Sequence, residues 1–138
     1  MGIISNSYAI GDVKGEGTLG GLVGGNDNGE IYNSYSTGNV TGSGVYAIGG
    51  LVGEMVNGIS SNSYWFNSIN SCCGQIFSGS CTNCTKVLDV NAFYPRAGLA
   101  YDYNVPMQHN IVAENDWTFG IDKNWTKINN TYPLLSWQ

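Results

Sequence analysis

Four cysteines lie within 13 positions of this 138-residue chain and are its best candidates for covalent or metal chemistry. The two-residue gap between Cys81 and Cys84 suits a zinc knuckle, but the adjacent Cys72 and Cys73 lack that gap. Disulfides tolerate this spacing and leave three connectivities open. We therefore predict disulfides at all four residues and no bound metal or cofactor, with zinc and free thiols as the alternatives.

The remaining polar residues give little support for catalysis. The single histidine, His109, lies in a polar stretch with no local motif that would supply a partner for acid–base chemistry. Carboxylate pairs can hydrolyse glycosides, but the acidic residues of the first half do not recur at matching positions: Glu16, Asp27, Glu30 and Glu54. The sequence therefore predicts a protein that is not an enzyme.

Composition excludes two classes of partner. The net charge is −5, and the five basic residues are scattered along the chain, whereas a phosphate backbone is bound by clustered Lys and Arg. No apolar run approaches the roughly 18 residues of a membrane-spanning helix. We expect neither nucleic-acid binding nor a membrane span.

Glycosylation sequons agree with an oxidising compartment. Four Asn-X-Thr triplets match the acceptor pattern, at Asn39, Asn83, Asn124 and Asn129. Together with the cysteines they predict an extracellular or cell-surface location. The residues after Met1 lack the basic region and long apolar core of a signal peptide. We therefore expect a mature or truncated piece of a longer protein.

An internal repeat organises the first half of the chain. Asn-Ser-Tyr begins at Asn6, Asn33 and Asn62, at intervals of 27 and 29 residues. The pentapeptide Gly-Gly-Leu-Val-Gly occurs at 20–24 and again at 49–53. Repeats of this length are typical of stacked architectures. The sequence thus contains two nearly complete units and the beginning of a third.

These units predict an all-β fold, specifically a β-solenoid. Glycine every few residues destabilises a helix, and a unit of this size buries a face only by stacking on its copies. The expected apolar ladders place Leu22 on Leu51 and Val13 on Val40, with Val23 and Val52 in the same core. In this alignment Ile59 falls opposite Glu30, so we expect a bulge or a bend near Ile59.

The chain divides into three predicted regions. Residues 1–70 form the repeats, residues 71–106 form a Cys-rich loop, and residues 107–138 form cap strands that pack on the same domain. We expect the disulfide-stapled segment to cover the open end of the stack, because exposed strand edges template association.

The repeated pentapeptide resembles the GLUG motif, named for its Gly-Leu-Val-Gly-type core. The resemblance continues in Tyr64-Trp65 and in a tail with Trp117, Trp125 and Tyr132-Pro133-Leu134-Leu135. It implies a secreted or surface-anchored microbial protein of the adhesin type, and it places this chain at the C-terminal end of a repeat array. Residues 71–106 depart from the family pattern.

The leading functional prediction is a structural or adhesive extracellular module that associates end to end as a homo-oligomer or filament subunit. The alternative is a carbohydrate-binding or carbohydrate-active module. Flat rings flanked by amides suit sugar stacking, and the candidate rings are Tyr32, Tyr46, Tyr101 and Tyr103.

Overall fold

A computed structural model of the chain describes residues 2–88 and the two short strands at 125–126 and 134–135. Two compact units are present, Met1–Lys86 and Val87–Gln138. The described residues form strands and turns with no helix, which confirms the all-β prediction for this part of the chain. No helix there is long and apolar enough to cross a membrane.

Short strands separated by turns make up the first unit. In chain order they are β1 (Ile3–Ser5), β2 (Tyr8–Ala9), β3 (Val13–Gly20), β4 (Val23–Asp27), β5 (Glu30–Tyr32), β6 (Tyr35–Ser36), β7 (Val40–Gly49), β8 (Val52–Val56), β9 (Gly58–Trp65), β10 (Cys73–Ile76) and β11 (Gly79–Lys86). In the second unit, β12 (Trp125–Thr126) pairs antiparallel with β13 (Leu134–Leu135).

Every strand pair of the first unit is parallel and joins equivalent positions of successive repeats. One sheet contains β1, β5, β9 and β11, with β6 and β2 continuing from the second half of β9. A second sheet pairs β3 with β7, and a third runs β10-β8-β4. Val13 pairs with Val40, and Val23 pairs with Val52. Each strand thus lies beside its own counterpart in the next repeat.

Asparagine turns set the corners of these repeats. Asn6, Asn33 and Asn62 all adopt positive φ, between 47° and 52°. Asparagine tolerates this left-handed region better than most side chains because its short amide can bond locally. Asn28 and Asn57, the first residues of the two Asn-Gly dipeptides, adopt the same conformation. The repeated asparagines therefore place the same left-handed backbone conformation at matching positions of successive repeats.

Of the bulge or bend expected near Ile59, the structure has a bend at Asn57 and no bulge between β5 and β9. Glu30 pairs with Ile59 and Ile31 with Ser60 in continuous register. Ser60 is buried, while Ile59 is 45% exposed, because the alternation of side chains is kept and the serine takes the inward position. The register shifts lie instead beside Gly17, between β3 and β7. There the longer β7 absorbs the extra residues of the second repeat.

Paired strands extend beyond the boundary expected at residue 70. The sequence predicts a Cys-rich loop from residue 71, yet residues 71–86 contain β10 and β11, which pair with β8 and β9. The repeat interval shortens to 21 residues here, as between Asn62 and Asn83. The reason is that β9 leads into β10 through residues 66–72, without a long strand like β3 or β7 between them.

Apolar side chains from successive repeats form the core of the first unit. Ile31, Leu51, Val52 and Met55 are fully buried, and Trp65 packs with them. Further members of the predicted ladders vary in burial: Val40 is buried, Leu22 and Val23 pack partly buried against the core, and Val13 is half-buried.

The Gly-Gly-Leu-Val-Gly corners bring backbones close together. The amides of Leu22 and Val23 both donate to the carbonyl of Leu51. A Cβ added to Gly50 would overlap the indole of Trp65. The glycine is therefore required by close approach rather than by an unusual φ.

Candidate functional site

Two cysteines occupy apolar ladder positions in the third repeat. Leu51 and Val52 donate their amides to the carbonyl of Cys72, as Leu22 and Val23 donate to the carbonyl of Leu51. Cys73 pairs with Val52 across the sheet. Cys72-Cys73-Gly74 is therefore the structural copy of the Leu-Val-Gly corner. Both cysteines are buried in the core cluster.

The other two cysteines continue ladders on β9. Cys81 pairs with Ser60, and Cys84 pairs with Ser63. Ser60 itself pairs with Ile31, which pairs with Ile4. The four cysteines thus stand at inward positions that earlier repeats fill with aliphatic or serine side chains.

A ladder of serines fixes the position of Cys84. The amide of Ser7 donates to the hydroxyl of Ser34 at 3.2 Å, and the amide of Ser34 donates to the hydroxyl of Ser63 at 3.3 Å. The amide of Ser63 in turn donates to the sulfur of Cys84. The hydroxyl of Ser60 adds a contact to that sulfur at 3.4 Å. Cys84 therefore occupies the position that Ser7, Ser34 and Ser63 hold in the earlier repeats.

The four cysteines form one disulfide and leave two free thiols. Cys73 and Cys81 are bonded, with Cα atoms 6.6 Å apart. Cys72 is a buried thiol, and Cys84 is a partly buried thiol that packs against the same core cluster. The sulfur of Cys72 also lies within 4.8 Å of the sulfurs of Cys73 and Cys81. These three sulfurs form one cluster, and two of them are bonded to each other.

The hydrogen bond between the two thiols separates their acidities. The bond that Cys72 donates lowers the pKa of Cys84, helped by the donors of Ser60 and Ser63, although burial acts in the opposite direction. The same bond, together with burial and the negative charge on Cys84, raises the pKa of Cys72. Cys84 is therefore the thiol that ionises first.

This arrangement favours thiol–disulfide chemistry over metal binding. The sulfurs of Cys72, Cys73 and Cys81 are close enough together to hold one ion. A metal needs thiolate ligands, and the two sulfurs bonded to each other as Cys73–Cys81 do not provide them. Zinc could compete only in the fully reduced chain.

The candidate glycosylation sites divide between described and undescribed residues. Asn39 is exposed, and its backbone N–H donates to the Asp12 carboxylate at 2.8 Å. Asn83 is exposed with φ of 50° and continues the line of Asn62. Asn124 and Asn129 lie outside the described residues. Glycosylation stays a prediction.

Candidate sugar-binding residues occupy separate places. Tyr46 on β7 is 85% exposed, while Tyr32 is half-buried. The carboxylates lie on four different strands, β3, β4, β5 and β8. A shallow groove of about 410 Å³ crosses β3 and β7, lined by Lys14, Gly15, Glu16, Thr41, Gly42 and Ser43. His109, Tyr101 and Tyr103 lie outside the described residues.

Residues 15–41 match the GLUG motif. The chain carries a GLUG motif. This confirms the resemblance noted in the pentapeptides. The GLUG segment begins in β3 and ends in β7, the strand that pairs with β3. It therefore covers one complete repeat of the sheet pattern.

The GLUG-bearing chain is similar to a protein of Evansella cellulosilytica whose name describes it as a Gly-rich membrane protein. The two are 43% identical over 61 residues, which is 42% of this chain and 7% of that relative. The chain thus covers only a small fraction of the relative's length. No solved structure matches the chain.

The internal repeat of the sequence also extends through the cysteines, where β10 and β11 repeat the pattern of β8 and β9. The signal was present as an interval of 21 residues, which relates Gly53 to Gly74 and Asn62 to Asn83. Asn83-Cys84-Thr85 stands opposite Asn62-Ser63-Tyr64. Two of the three residue types differ and the interval is shorter than the earlier 27 and 29, so the repeat is not evident from the sequence.

Proposed function

We propose that the chain is a β-solenoid that serves as a non-enzymatic structural and adhesive module of an extracellular or cell-surface protein. The observation that carries this proposal is the parallel pairing of equivalent residues from successive repeats, which stays in register in β2–β6, β4–β8 and β5–β9. A stack of this kind adds units along one axis, because each unit offers the next one the same hydrogen-bonding pattern.

End-to-end self-association follows from the edge of the first repeat. Among residues 2–88, β1 and β2 stand at the ends of their sheet, with no strand paired to their outer sides. Two apolar side chains of this repeat are largely exposed, Ile3 at 61% and Ile10 at 56%. Unpaired parallel edges with apolar side chains accept a further strand. A second copy of the chain supplies one.

The surface location has separate support. A disulfide is typical of oxidising compartments, and Cys73–Cys81 is bonded. The similar Evansella protein is described by its name as a membrane protein. These observations agree with a module displayed outside the cytoplasm, with Asn39 and Asn83 exposed as glycan acceptors.

Ile3→Pro tests the self-association. Gly2 and Asn6 make their backbone bonds toward β5, through the Gly2 carbonyl and the Asn6 amide, so alternation turns the amide of Ile3 outward. Proline removes that outward donor without removing a bond to β5. Light scattering over a concentration series is expected to give growing assemblies for the wild type and smaller ones for Ile3→Pro.

Ile3→Val is the matched control, because it keeps the donor and most of the apolar surface. It should assemble like the wild type. A wild-type chain that stays monomeric at high concentration, with no filaments by electron microscopy, would contradict the self-association proposal.

Sugar binding is the second candidate, favoured by the groove across β3 and β7. Its charged and hydroxyl side chains share a sheet with the exposed ring of Tyr46, and such a ring stacks on sugar faces. A glycan array compares wild type with Tyr46→Ala. Binding that Tyr46→Ala abolishes would support this candidate, whereas no binding by the wild type would retire it.

A further inference from the structure

We infer that the outer edge of β1 and β2 binds an extended segment that carries Asn-Ser-Tyr, supplied by another chain with GLUG-type repeats. This step rests on the proposed function, in which the same edge accepts a further strand, and it names the sequence that the edge recognises. Three groups of the edge carry the recognition: the Ile3 amide, the Ser7 hydroxyl and the Tyr8 ring.

The repeated serines make the same two hydrogen bonds in successive repeats. The hydroxyl of Ser34 donates to the carbonyl of Tyr32 at 2.9 Å, and its oxygen accepts the amide of Ser7 at 3.2 Å. The hydroxyl of Ser63 donates to the carbonyl of Ser61 at 2.8 Å, and its oxygen accepts the amide of Ser34 at 3.3 Å. The proton is therefore used within the repeat, while the oxygen faces the preceding repeat.

Ser7 makes the first of these bonds and offers the second. Its hydroxyl donates to the carbonyl of Ser5 at 2.9 Å, so its oxygen is oriented like those of Ser34 and Ser63. Among residues 2–88, no amide donates to this oxygen. Because the other two serines are engaged by the amide of a neighbouring strand, the matching group for Ser7 is the backbone N–H of an added strand.

A stack of tyrosines follows the serines. Tyr8 pairs with Tyr35, and Tyr35 pairs with Tyr64. The rings of Tyr8 and Tyr35 are stacked, with centroids 5.3 Å apart and an angle of 10° between their planes. Tyr35 and Tyr64 are fully buried, whereas Tyr8 is half-buried because β2 ends its sheet within residues 2–88. A tyrosine on the added strand would continue the stack and cover the Tyr8 ring.

The Ile3 amide sets the register of the added strand. In the repeats that follow, the amide of Glu30 donates to the carbonyl of Gly2 at 2.9 Å. The amide of Ile59 donates in the same way to the carbonyl of Gly29 at 2.9 Å. Both acceptor carbonyls lie shortly before an Asn-Ser-Tyr triplet. An added segment with the same spacing therefore engages the amide of Ile3 and the oxygen of Ser7 together.

The last strand of a second copy matches this edge less completely. β11 carries Thr85 at the position that pairs with Tyr64. An added β11 offers backbone groups but no aromatic ring to cover Tyr8. The edge therefore favours an Asn-Ser-Tyr repeat over β11 of its own kind.

Fluorescence polarisation with a labelled synthetic peptide tests this recognition. The peptide has the sequence of residues 29–37, which contains Asn-Ser-Tyr and the glycine carbonyl before it. It is titrated with the full chain at concentrations below those at which light scattering detects assembly. We expect saturable binding that becomes about fivefold weaker after N-methylation of the Ser34 amide, because one hydrogen bond is lost.

N-methylation of the Glu30 amide gives the matched control peptide. In the chain this amide donates toward the preceding repeat, so in the bound peptide it faces away from the protein and the affinity should stay unchanged. Peptide Tyr35→Thr copies the residue type of β11 and should bind about fivefold more weakly, through loss of ring stacking. Tyr8→Leu in the protein should weaken the unmodified peptide but not the Tyr35→Thr peptide.

The outcomes separate this recognition from self-association. A wild type that stays monomeric but binds the peptide supports the recognition of Asn-Ser-Tyr and contradicts only the self-association. A wild type that assembles but does not bind the peptide overturns the inference. Equal affinities of the two N-methylated peptides would overturn it as well.

Discussion

Cys84 illustrates how one atom changes the role of a repeated position. Ser34 and Ser63 use a hydroxyl to accept the amide of the preceding repeat, and Cys84 uses sulfur for the same bond. Sulfur is a weaker acceptor than oxygen, but it ionises and can be oxidised. The ladder position is thereby kept while a reactive group is introduced beside Cys72.

The pH dependence of alkylation should reveal this environment. In the folded, reduced chain, iodoacetamide is expected to modify Cys84 before Cys72, because hydrogen bonds to its sulfur lower the pKa of Cys84. Cys72→Ala removes the first of those donors, so the pH midpoint for Cys84 should move upward. Peptide-resolved labelling rates measure both effects. Equal midpoints in wild type and variant would show that the bond is absent.

At the level of elements, the glycine corners determine how closely the repeats approach. The carbonyl of Gly50 accepts bonds from Ser36 and Asn67, at 2.6 and 3.0 Å, while its Cα faces Trp65. The side-chain amide of Asn67 also reaches Gly38, a residue 29 positions earlier. The Gly50 corner, the Trp65 indole and the Asn67 side-chain amide therefore pack together and connect two repeats.

Gly50→Ala should destabilise this arrangement. The new methyl group would overlap the Trp65 ring, and overpacking of this kind costs about 1–3 kcal/mol. Gly25→Ala is the matched control, since a Cβ there meets no atom within 4 Å. Chemical denaturation should give a lower midpoint for Gly50→Ala than for Gly25→Ala. Similar midpoints would contradict the close approach at this corner.

At the level of the whole chain, the sequence predicted the pairing of strong repeats and failed where repeats degenerate. The matches of Val13 to Val40 and Val23 to Val52 could be read because identical residues recur at similar intervals, 27 and 29 residues. The β10–β11 repeat could not, since cysteines replace the leucine, valine and serine of earlier copies.

Two further features required three-dimensional information. The side chain that faces inward at Ile59 and Ser60 depends on register, and a slip of one residue would exchange their faces. Which cysteines pair depends on the strand positions that place their sulfurs next to each other in the fold. Spacing alone left three connectivities open, whereas the structure joins Cys73 to Cys81, with Cα atoms 6.6 Å apart.

Cross-strand nuclear Overhauser effects test the parallel stack most directly. Backbone contacts are expected between residues 27 positions apart at Val13 and Val40, 29 apart at Val23 and Val52, and 21 apart at Ser63 and Cys84. Parallel neighbours lie about 4.8 Å apart, close enough for these effects to be measured. Contacts of this pattern would support the stacked repeats. Contacts instead between antiparallel neighbours such as β3 and β4 would contradict them.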